Sequence, residues 1–151
     1  MLPRILSSYP AGTALNYRHA YHAGNFADVL KHVVLVACIE AMKAKQTAFA
    51  YVDSHAGAGR YDLGGIEAQK TGEASDGVKR LFSVDRMPAL IHAYLNLVRS
   101  QGADIGASPQ GFYPGSPAIA AALMRDQDRL QLCELQDVEY DILVTAEAKS
   151  I

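Results

Sequence analysis

Hydrophobic residues between Ala27 and Lys45 recur at the three- and four-residue spacing that places them on one face of a helix. Asn25 lies just before this segment, where its side chain can accept a hydrogen bond from the first turn. Asp28 falls within that turn, where the helix dipole favours a negative charge. The pattern therefore predicts a first helix over residues 27–45.

Two short apolar runs differ from this helix because they are almost continuous. The first covers residues 49–52 and ends at Asp53, and the second covers residues 130–135 and includes the acid Glu134. A continuous apolar run of this length is typical of a strand that is buried on both faces of a parallel sheet. We therefore expect two buried strands, each ending beside a carboxylate.

The segments between and after these strands are predicted to be mainly helical. Helices are expected at residues 73–82, 87–100, 117–126 and 137–149. Residues 111–117 are expected to form a turn in which Ser116 caps the third of these helices and Pro117 occupies its first position. Helices that alternate with strands in this order are typical of a parallel sheet covered on both faces, so the predicted fold class is α/β.

The predicted sheet is incomplete, because two strands are fewer than the about five or six of an average sheet. Two parallel strands cannot cover their own faces and edges. We expect residues 17–151 to form part of a larger domain, as a truncated gene product or a fragment. A small domain completed by a partner is the weaker alternative. Residues 1–16 are expected to be a disordered extension.

The composition is that of an ordinary globular protein, with 50% hydrophobic and 20% charged residues. The formal net charge of -2 argues against a strongly basic surface, but the charge is uneven. Residues 1–50 hold five Lys and Arg against two acids, whereas residues 101–151 hold three against eight. A basic N-terminal third could contact a phosphate backbone, although ordinary scatter of surface charge explains the same counts.

The two cysteines, Cys38 and Cys133, lie in apolar stretches and lack the spacing of metal ligands. We expect both to be buried free thiols in the reducing cytoplasm. No apolar run approaches the roughly 18 residues that a membrane span needs. Residues 1–16 also lack the long apolar core of a signal peptide. We therefore expect a cytoplasmic protein without a membrane contact.

A glycine-bearing turn, DSHAGAG, begins at Asp53, and Glu134 ends the second strand. Glycines at the carboxyl end of a parallel strand let the backbone approach a ligand, and such a turn normally leads into a helix whose N-terminus favours negative groups. A carboxylate such as Glu134 can accept hydrogen bonds from both ribose hydroxyls of an adenosine-containing cofactor. A tight turn and a surface acid are the alternatives for each feature alone. Together they predict that Gly57–Gly59 and Glu134 lie side by side, with an inserted helical segment between them in sequence.

Aromatic, basic and amide residues alternate over residues 16–32, NYRHAYHAGNFADVLKH. Such side chains can stack on a base and hold a phosphate, although a capped helix N-terminus explains each residue taken singly. The histidines and Asp28 also suggest a metal site, but no second ligand pair has clear spacing, so we expect no metal. Lys31 and His32 are adjacent on a helix and point in different directions. We expect one of them to face a cofactor and the other a nucleic acid.

These segments together resemble a known family. YRHAYHAGNFADVLKH, YVDSHAGAGRYDLG, KTGEASDGV, FYPGSP and RLQLCEL are similar, in the same order, to segments of the RlmJ family of bacterial 23S rRNA adenine-N6 methyltransferases, also described as DNA-utilisation or competence-related proteins. The resemblance covers about residues 16–140. It implies a Rossmann-like, S-adenosylmethionine-dependent methyltransferase fold with a helical insertion, here about residues 62–107. It also implies a 23S rRNA partner and a full-length protein that is a monomer.

The resemblance further implies roles for single residues. Those implied to contact S-adenosylmethionine are His32, His55, Ser116 and Glu134, and those implied to shape its pocket are Asp53, Gly57 and Gly59. Those that match family positions associated with substrate engagement and activity are Tyr17, His19 and Lys31.

The sequence departs from the family at its catalytic motif. The family's Asp-Pro-Pro-Tyr has no match here, since the only prolines after residue 110 are Pro114 and Pro117. Leu135-Gln136 also stands where the family shows Leu-His-Pro, and residues 141–151 match poorly. We therefore expect no catalytic residue in this chain and impaired methyl transfer. Two other functions stay open: a non-catalytic nucleic-acid-binding module and a metal-dependent nuclease or phosphoesterase.

Overall fold

The structure is a computed structural model, and it describes residues 17–101 and 111–148. The helices are α1 (Phe26–Lys43), α2 (Ile66–Thr71), α3 (Val78–Leu81), α4 (Ala89–Ser100), α5 (Ser116–Leu123) and α6 (Asp137–Ala148), and the strands are β1 (Ala50–Asp53), β2 (Arg60–Asp62), β3 (Phe112–Pro114) and β4 (Arg129–Leu132). Two 3₁₀ turns cover His19–Tyr21 and Glu73–Ser75. The predicted α/β class is confirmed. The predicted disordered extension and the end of the predicted insertion lie outside the described residues.

Helix α1 forms where the hydrophobic pattern predicts it. The Asn25 side chain accepts a hydrogen bond from the backbone N–H of Asp28 at 2.9 Å, which satisfies one free donor of the first turn. The apolar face of α1 packs against α5 and α4. Val36 of α1 joins a single hydrophobic core with residues from the other helices and from β3, including Tyr94, Tyr113 and Ile119.

Strands β1 and β4 pair in parallel, with Asp53 opposite Leu132. The prediction of two parallel strands is confirmed, but the prediction that they are buried is wrong. The Val52 side chain is 57% exposed, and β1 alternates between exposed and half-buried positions. The physical reason is that the described residues cover this sheet unevenly: α5 packs against both strands, while the face that carries Val52 stays open.

A second sheet, which the sequence pattern did not predict, is formed by β2 and β3 in antiparallel pairing. Phe112–Pro114 is therefore a strand where a turn was expected, and three residues are too few to show alternation. Strand β2 leads into the insertion and β3 follows it. The two ends are held together, since the N–H of Gly115 after β3 donates to the carbonyl of Gly59 before β2 at 2.8 Å. The insertion thus begins and ends at the glycine turn, which accounts for the long gap between Gly59 and Glu134.

Within the insertion, the helix expected at residues 73–82 is divided into a 3₁₀ turn and α3 by Gly77. A Cβ atom at Gly77 would lie only 2.1 Å from the carbonyl oxygen of Gly24. The N–H of Val78 donates to that oxygen at 2.8 Å. Close docking of the insertion on the loop before α1 therefore interrupts the helix.

Three further expectations are wrong or incomplete. The glycine turn continues into β2 and not into a helix, since the insertion separates it from α5. Helix α5 begins at Ser116 with Gly115 as its N-cap, and Ser116 makes no cap hydrogen bond. Cys38 is exposed on α1 and Cys133 is half-buried, because an apolar run on a helix also includes outward positions. None of the helices in the described ranges has the length and apolarity that a membrane crossing requires.

Candidate functional site

The carboxyl ends of β1 and β4 bring the glycine turn and Glu134 together. The backbone N–H of Gly57 donates to Glu134 Oε2 at 2.7 Å. The backbone hydrogen bonds between β1 and β4 also continue past the ends of the two strands. Cys133 N–H donates to the Asp53 carbonyl at 2.8 Å, and Ala56 N–H donates to the Cys133 carbonyl at 3.0 Å. The predicted side-by-side placement of Gly57–Gly59 and Glu134 is therefore confirmed as geometry.

The Glu134 carboxylate is held by three backbone amides. Oε1 accepts from the N–H groups of Leu135 and Gln136, both at 2.8 Å, while Oε2 accepts only from Gly57 among the described residues. A carboxylate oxygen has two acceptor positions. Oε2 therefore keeps one position for a donor such as a hydroxyl group.

The glycine turn needs its glycines. Gly57 and Gly59 have φ angles of 63° and 72°, in the left-handed region that side chains disfavour. A Cβ atom would lie 2.2 Å from the Tyr61 hydroxyl oxygen at Gly57, and 2.9 Å from a Leu143 methyl carbon at Gly59. At these two positions the backbone lies so close to neighbouring side chains that a residue with a Cβ atom would clash.

Asp53 joins β1 to the start of α5. Its Oδ2 accepts hydrogen bonds from the Ser116 hydroxyl at 2.6 Å and the Tyr51 hydroxyl at 3.0 Å, and its Oδ1 accepts from the backbone N–H of His55 at 3.1 Å. Ser116 therefore contacts the predicted pocket residue and does not cap the helix. The exposed ring of His55 lies beside Ser54, whose hydroxyl is 2.9 Å from Nδ1.

A second cluster surrounds Asp28, whose side chain is 1% exposed. Asp28 Oδ2 accepts from His19 Nε2 at 2.8 Å and from the Gly24 N–H at 3.0 Å, and Lys31 Nζ lies 2.9 Å from Oδ1. The Tyr17 hydroxyl lies 2.9 Å from His19 Nδ1. The three residues predicted to engage the substrate, Tyr17, His19 and Lys31, are thus brought together by Asp28. We call these four residues the Asp28 cluster.

The charges in this cluster explain the acidity of Asp28. Burial alone would raise the pKa of Asp28, but the hydrogen bond and charge of His19, together with Lys31, outweigh burial and lower its pKa to about 2. Asp28 is therefore an anion at neutral pH that orients both basic side chains. The sequence pattern had placed Asp28 as a favourable first-turn acid and as a candidate metal ligand, and not as the partner of His19 and Lys31.

The Asp28 cluster adjoins the glycine turn. The ring of His19 meets the ring of Tyr61 edge-on, with 5.0 Å between centroids, and Tyr61 is the residue against which Gly57 packs. The Gln136 side-chain amide, two residues beyond Glu134, donates to the Tyr17 carbonyl at 2.6 Å. The two groups of predicted residues therefore form neighbouring parts of one site.

His32 is buried, whereas the adjacent Lys31 side chain is 62% exposed. His32 Nδ1 lies 2.8 Å from the Tyr113 hydroxyl, which lies 2.9 Å from the Tyr94 hydroxyl. Burial lowers the pKa of His32 to about 4, although the carboxylates of Asp28 and Asp53 act in the opposite direction. Lys31 is exposed, so the adjacent side chains lie in different surroundings, as expected. Sequence analysis missed both tyrosines, which have the pattern of ordinary core residues.

Glu139 on α6 is a further residue that sequence analysis missed. Its side chain is 5% exposed, and its Oε2 has no hydrogen-bond partner among the described residues. Burial raises the pKa of Glu139, while the charge of Arg18 opposes the shift in part. The negative charge of Glu139 helps to raise the pKa of Tyr61, and the negative charge of Glu134 helps to raise the pKa of Glu139. Glu139 therefore lies beside the glycine turn.

The histidines of the N-terminal segment do not converge on one point. His19 pairs with Asp28, His22 with Glu73 at 2.9 Å, and His32 with Tyr113. In the described ranges, no three His, Cys, Asp or Glu side chains are grouped as metal ligands. The spacing that suggested a metal site therefore reflects three separate pairs.

A cleft of about 880 Å³ lies between α5 and α6 and shares only Gly59 with this site. Its walls combine small side chains, among them Ala118 and Ala121, with polar ones such as Arg60 and Asp141. The carboxylates fixed by backbone amides and hydroxyl groups, which give a pocket its oriented polar contacts, lie instead at the ends of β1 and β4. We therefore assign the functional site to the strand ends and not to the cleft.

This chain is similar to curated proteins in sequence and to a solved protein in fold. The chain is 49% identical over 130 residues to ribosomal RNA large subunit methyltransferase J of Escherichia coli, and 44% identical over 129 residues to the protein of that name from Haemophilus influenzae. Each match covers 85% of this chain and 45% of the relative, so the chain spans about half the length of the curated relatives it matches.

The crystal structure of protein LPL1258 from Legionella pneumophila matches with a TM-score of 0.72 at 34% identity, over 82% of this chain and 44% of that one. A family model described as ribosomal RNA large subunit methyltransferase D, RlmJ, matches residues 46–150. The chain therefore belongs to the RlmJ family of ribosomal RNA large subunit methyltransferases.

Proposed function

We propose that this chain forms the S-adenosylmethionine-binding part of an enzyme that methylates the exocyclic amine of an adenine in 23S rRNA. The observation that carries the proposal is the hydrogen bond between the Gly57 amide and the Glu134 carboxylate. This contact brings the glycine turn and an acid to the same edge of the sheet. An acid at that position can accept hydrogen bonds from a ribose, which supports the proposal. The names of the curated relatives support the reaction and the rRNA substrate, and we expect it to take place in the cytoplasm.

The residues at the strand ends fit this cofactor. Glu134 Oε2 keeps an acceptor position for a ribose hydroxyl, and the unpartnered Oε2 of Glu139 is a buried acceptor beside the same turn. S-adenosylmethionine, when bound, supplies a methyl group on a positively charged sulfur. Asp53, fixed by Ser116 and Tyr51, is a second oriented carboxylate at the same strand ends, which would suit a positively charged ligand. We propose that His32, His55 and Ser116 complete the pocket.

The Asp28 cluster fits the RNA substrate. Tyr17 is exposed and stacks on His22, with ring centroids 5.7 Å apart and planes 11° from parallel. An enzyme that modifies a base must take it out of its stack, and an exposed aromatic ring can hold the displaced base. The exposed ammonium of Lys31 offers a contact for a phosphate. We propose that Tyr17, His19 and Lys31 position the adenine and its backbone.

The 151 residues contain no Asp-Pro-Pro-Tyr motif. In the resemblance described above, that motif orients the adenine amine toward the methyl group. We therefore propose that this chain binds the methyl donor and RNA but transfers methyl groups slowly by itself, because orientation supplies much of the rate.

Calorimetric titration with S-adenosylmethionine tests the cofactor site. We expect the wild-type chain to bind, and Glu134→Gln to weaken binding by about tenfold to a hundredfold, because a charge-assisted hydrogen bond is worth about 1.5–3 kcal/mol. Glu40→Gln is the matched control, since Glu40 pairs with Lys43 on the exposed side of α1. A folded wild-type chain that does not bind the cofactor would contradict the proposal.

Electrophoretic mobility shifts with a 23S rRNA fragment test the substrate side. We expect Lys31→Ala to weaken binding and S-adenosylmethionine to strengthen it. An RNA affinity that is the same with and without S-adenosylmethionine in every variant would favour the alternative of a non-catalytic binding module. Fast methylation of the same RNA by these 151 residues would contradict the expected loss of catalysis.

A further inference from the structure

We infer that Tyr94 and Tyr113 hold His32 in the tautomer that carries its proton on Nε2, so that this histidine presents a hydrogen-bond donor to the cofactor site. Tyr94 lies on α4 within the insertion, Tyr113 on β3 and His32 on α1. The inference rests on the proposed function only in naming the ligand that receives the donor. The tautomer follows from the contacts themselves.

The three side chains form a chain of hydrogen bonds inside the core. The Tyr94 and Tyr113 hydroxyl oxygens are 2.9 Å apart, and the Tyr113 hydroxyl oxygen is 2.8 Å from His32 Nδ1. Tyr94 and Tyr113 are both 0% exposed, and His32 is 6% exposed. Water therefore has no access with which to satisfy a hydroxyl proton that lacks a protein acceptor.

The need of each buried hydroxyl proton for an acceptor decides which atom donates in each of these two hydrogen bonds. If Tyr94 donates to Tyr113, and Tyr113 donates to Nδ1, both hydroxyl protons have an acceptor. If Nδ1 donates to Tyr113, and Tyr113 donates to Tyr94, the Tyr94 proton has no acceptor among the described residues. An unsatisfied buried donor costs about 1–3 kcal/mol. The first direction is therefore favoured, and it makes Nδ1 an acceptor.

His32 carries a single ring proton at neutral pH. Burial lowers its pKa to about 4, against the carboxylates of Asp28 and Asp53, while the charges of Lys31 and His19 act with burial. With Nδ1 used as an acceptor, that proton is on Nε2. Among the described residues no group is hydrogen-bonded to Nε2, so its N–H is available to a ligand.

The consequence is a chemical preference of the cofactor site. A fixed N–H donor selects a ligand atom that accepts, such as a carboxylate oxygen, a hydroxyl oxygen or an aromatic ring nitrogen. Tyr113 is then a positioning residue for His32, and Tyr94 acts through Tyr113. The helical insertion therefore contributes to the cofactor site through the Tyr94 hydroxyl group, which acts by way of Tyr113 on β3, and not by contact with the ligand.

Long-range ¹H–¹⁵N NMR of the histidine rings tests the tautomer directly, without any ligand. We expect the wild-type His32 signals to show a protonated Nε2 and an unprotonated Nδ1 at neutral pH. Tyr113→Phe removes the hydroxyl and should give a mixture of both tautomers. Tyr94→Phe should keep the Nε2–H form, because the Tyr113 proton still needs Nδ1. A wild-type His32 protonated on Nδ1 would overturn the inference, even if Tyr113→Phe failed to fold.

Titration with S-adenosylmethionine then measures the consequence. We expect Tyr113→Phe to weaken binding by about threefold to tenfold, as for the loss of one hydrogen bond. Tyr94→Phe should weaken it less, and Tyr140→Phe on α6 is the matched control with no expected change. Unchanged affinity in Tyr113→Phe would overturn the positioning role. A wild-type chain that does not bind the cofactor would contradict the proposed function, while the NMR spectrum would still decide the tautomer.

Discussion

One buried carboxylate lies in the Asp28 cluster and another, that of Glu139 on α6, lies beside the glycine turn, and their pKa values are shifted in opposite directions. Asp28 is 1% exposed and Glu139 is 5% exposed. The pKa of Asp28 is lowered to about 2, because His19 and Lys31 outweigh the effect of burial. The pKa of Glu139 is raised, because burial dominates and Oε2 has no hydrogen-bond partner in the described parts of the chain. The partners of a buried acid, more than its burial, decide its charge.

The two regions also differ in whether their carboxylates have partners within the protein. The Asp28 carboxylate faces two basic side chains: Oδ2 accepts from His19, and Oδ1, which has no hydrogen-bond partner among the described residues, lies 2.9 Å from the ammonium of Lys31. Glu134 at the strand end keeps an unused acceptor position, and Glu139 beside the glycine turn has an unpartnered Oε2 with no such cation against it in the described part of the chain. Unsatisfied buried groups persist in folded proteins chiefly where a ligand or a reaction uses them. We therefore expect the largest loss of stability from a change at Asp28, smaller effects of either sign beside the glycine turn, and the main loss of binding from a change at Glu134.

The largest effect is expected for Asp28→Asn. The substitution keeps the shape but removes the charge that faces Lys31 and His19, and we expect it to lower the free energy of unfolding by about 3 kcal/mol. Since the folded pKa of Asp28 lies below its ordinary value of 3.8, its contribution is present above about pH 4 and is lost as the pH falls toward 2. Urea denaturation at pH 7 and across this range measures both.

Asp85→Asn is the control for this experiment, because Asp85 is exposed. We expect that variant to stay within about 0.5 kcal/mol of the wild type. If Asp28→Asn were equally mild, or kept the wild-type acid dependence, His19 and Lys31 would not stabilise the Asp28 carboxylate as described above.

A smaller effect is expected for Gly57→Ala. The substitution forces a Cβ atom to within 2.2 Å of the Tyr61 hydroxyl oxygen at a φ of 63°. We expect a loss of about 2 kcal/mol or more in the free energy of unfolding. Gly72→Ala is the matched control, because Gly72 has a φ of 67° but nothing within 4 Å of its Cβ position.

Gly72→Ala should therefore show only the cost of the left-handed backbone, about 1 kcal/mol. The difference between the two variants, measured by thermal denaturation, isolates the steric requirement of the glycine turn. Equal losses at the two positions would mean that the turn tolerates a side chain beside Tyr61.

The smallest effect, and the only gain, is expected for Glu139→Gln. A raised folded pKa means that ionised Glu139 opposes folding at neutral pH, so removal of its charge should raise the free energy of unfolding by about 1 kcal/mol. The gain should vanish as the pH falls below the ordinary glutamate pKa of 4.5, where both states are protonated. Denaturation at pH 7 and pH 4 measures it, with Glu40→Gln as the exposed control. A loss of stability at pH 7 would show that Glu139 has a partner when ionised.

Much of the framework could be predicted from local pattern. Asn25 before an amphipathic run located α1, and the acid-terminated apolar runs located β1 and β4 with their glycine turn. Strands β2 and β3 were not predictable, because three residues carry no periodicity. The break at Gly77 was missed for a different reason, since a backbone contact with Gly24 from 53 positions earlier in the chain decides it.

The sequence by itself determined the α/β class, the family, and the residue types that meet at the two strand ends, because those signals are local or shared with relatives. Only the tertiary structure decided which side chains are partners. It placed Ser116 on Asp53, His19 and Lys31 on Asp28, and Tyr113 on His32. Partnership depends on contacts between distant segments, and the charge, tautomer and orientation of each group follow from those contacts.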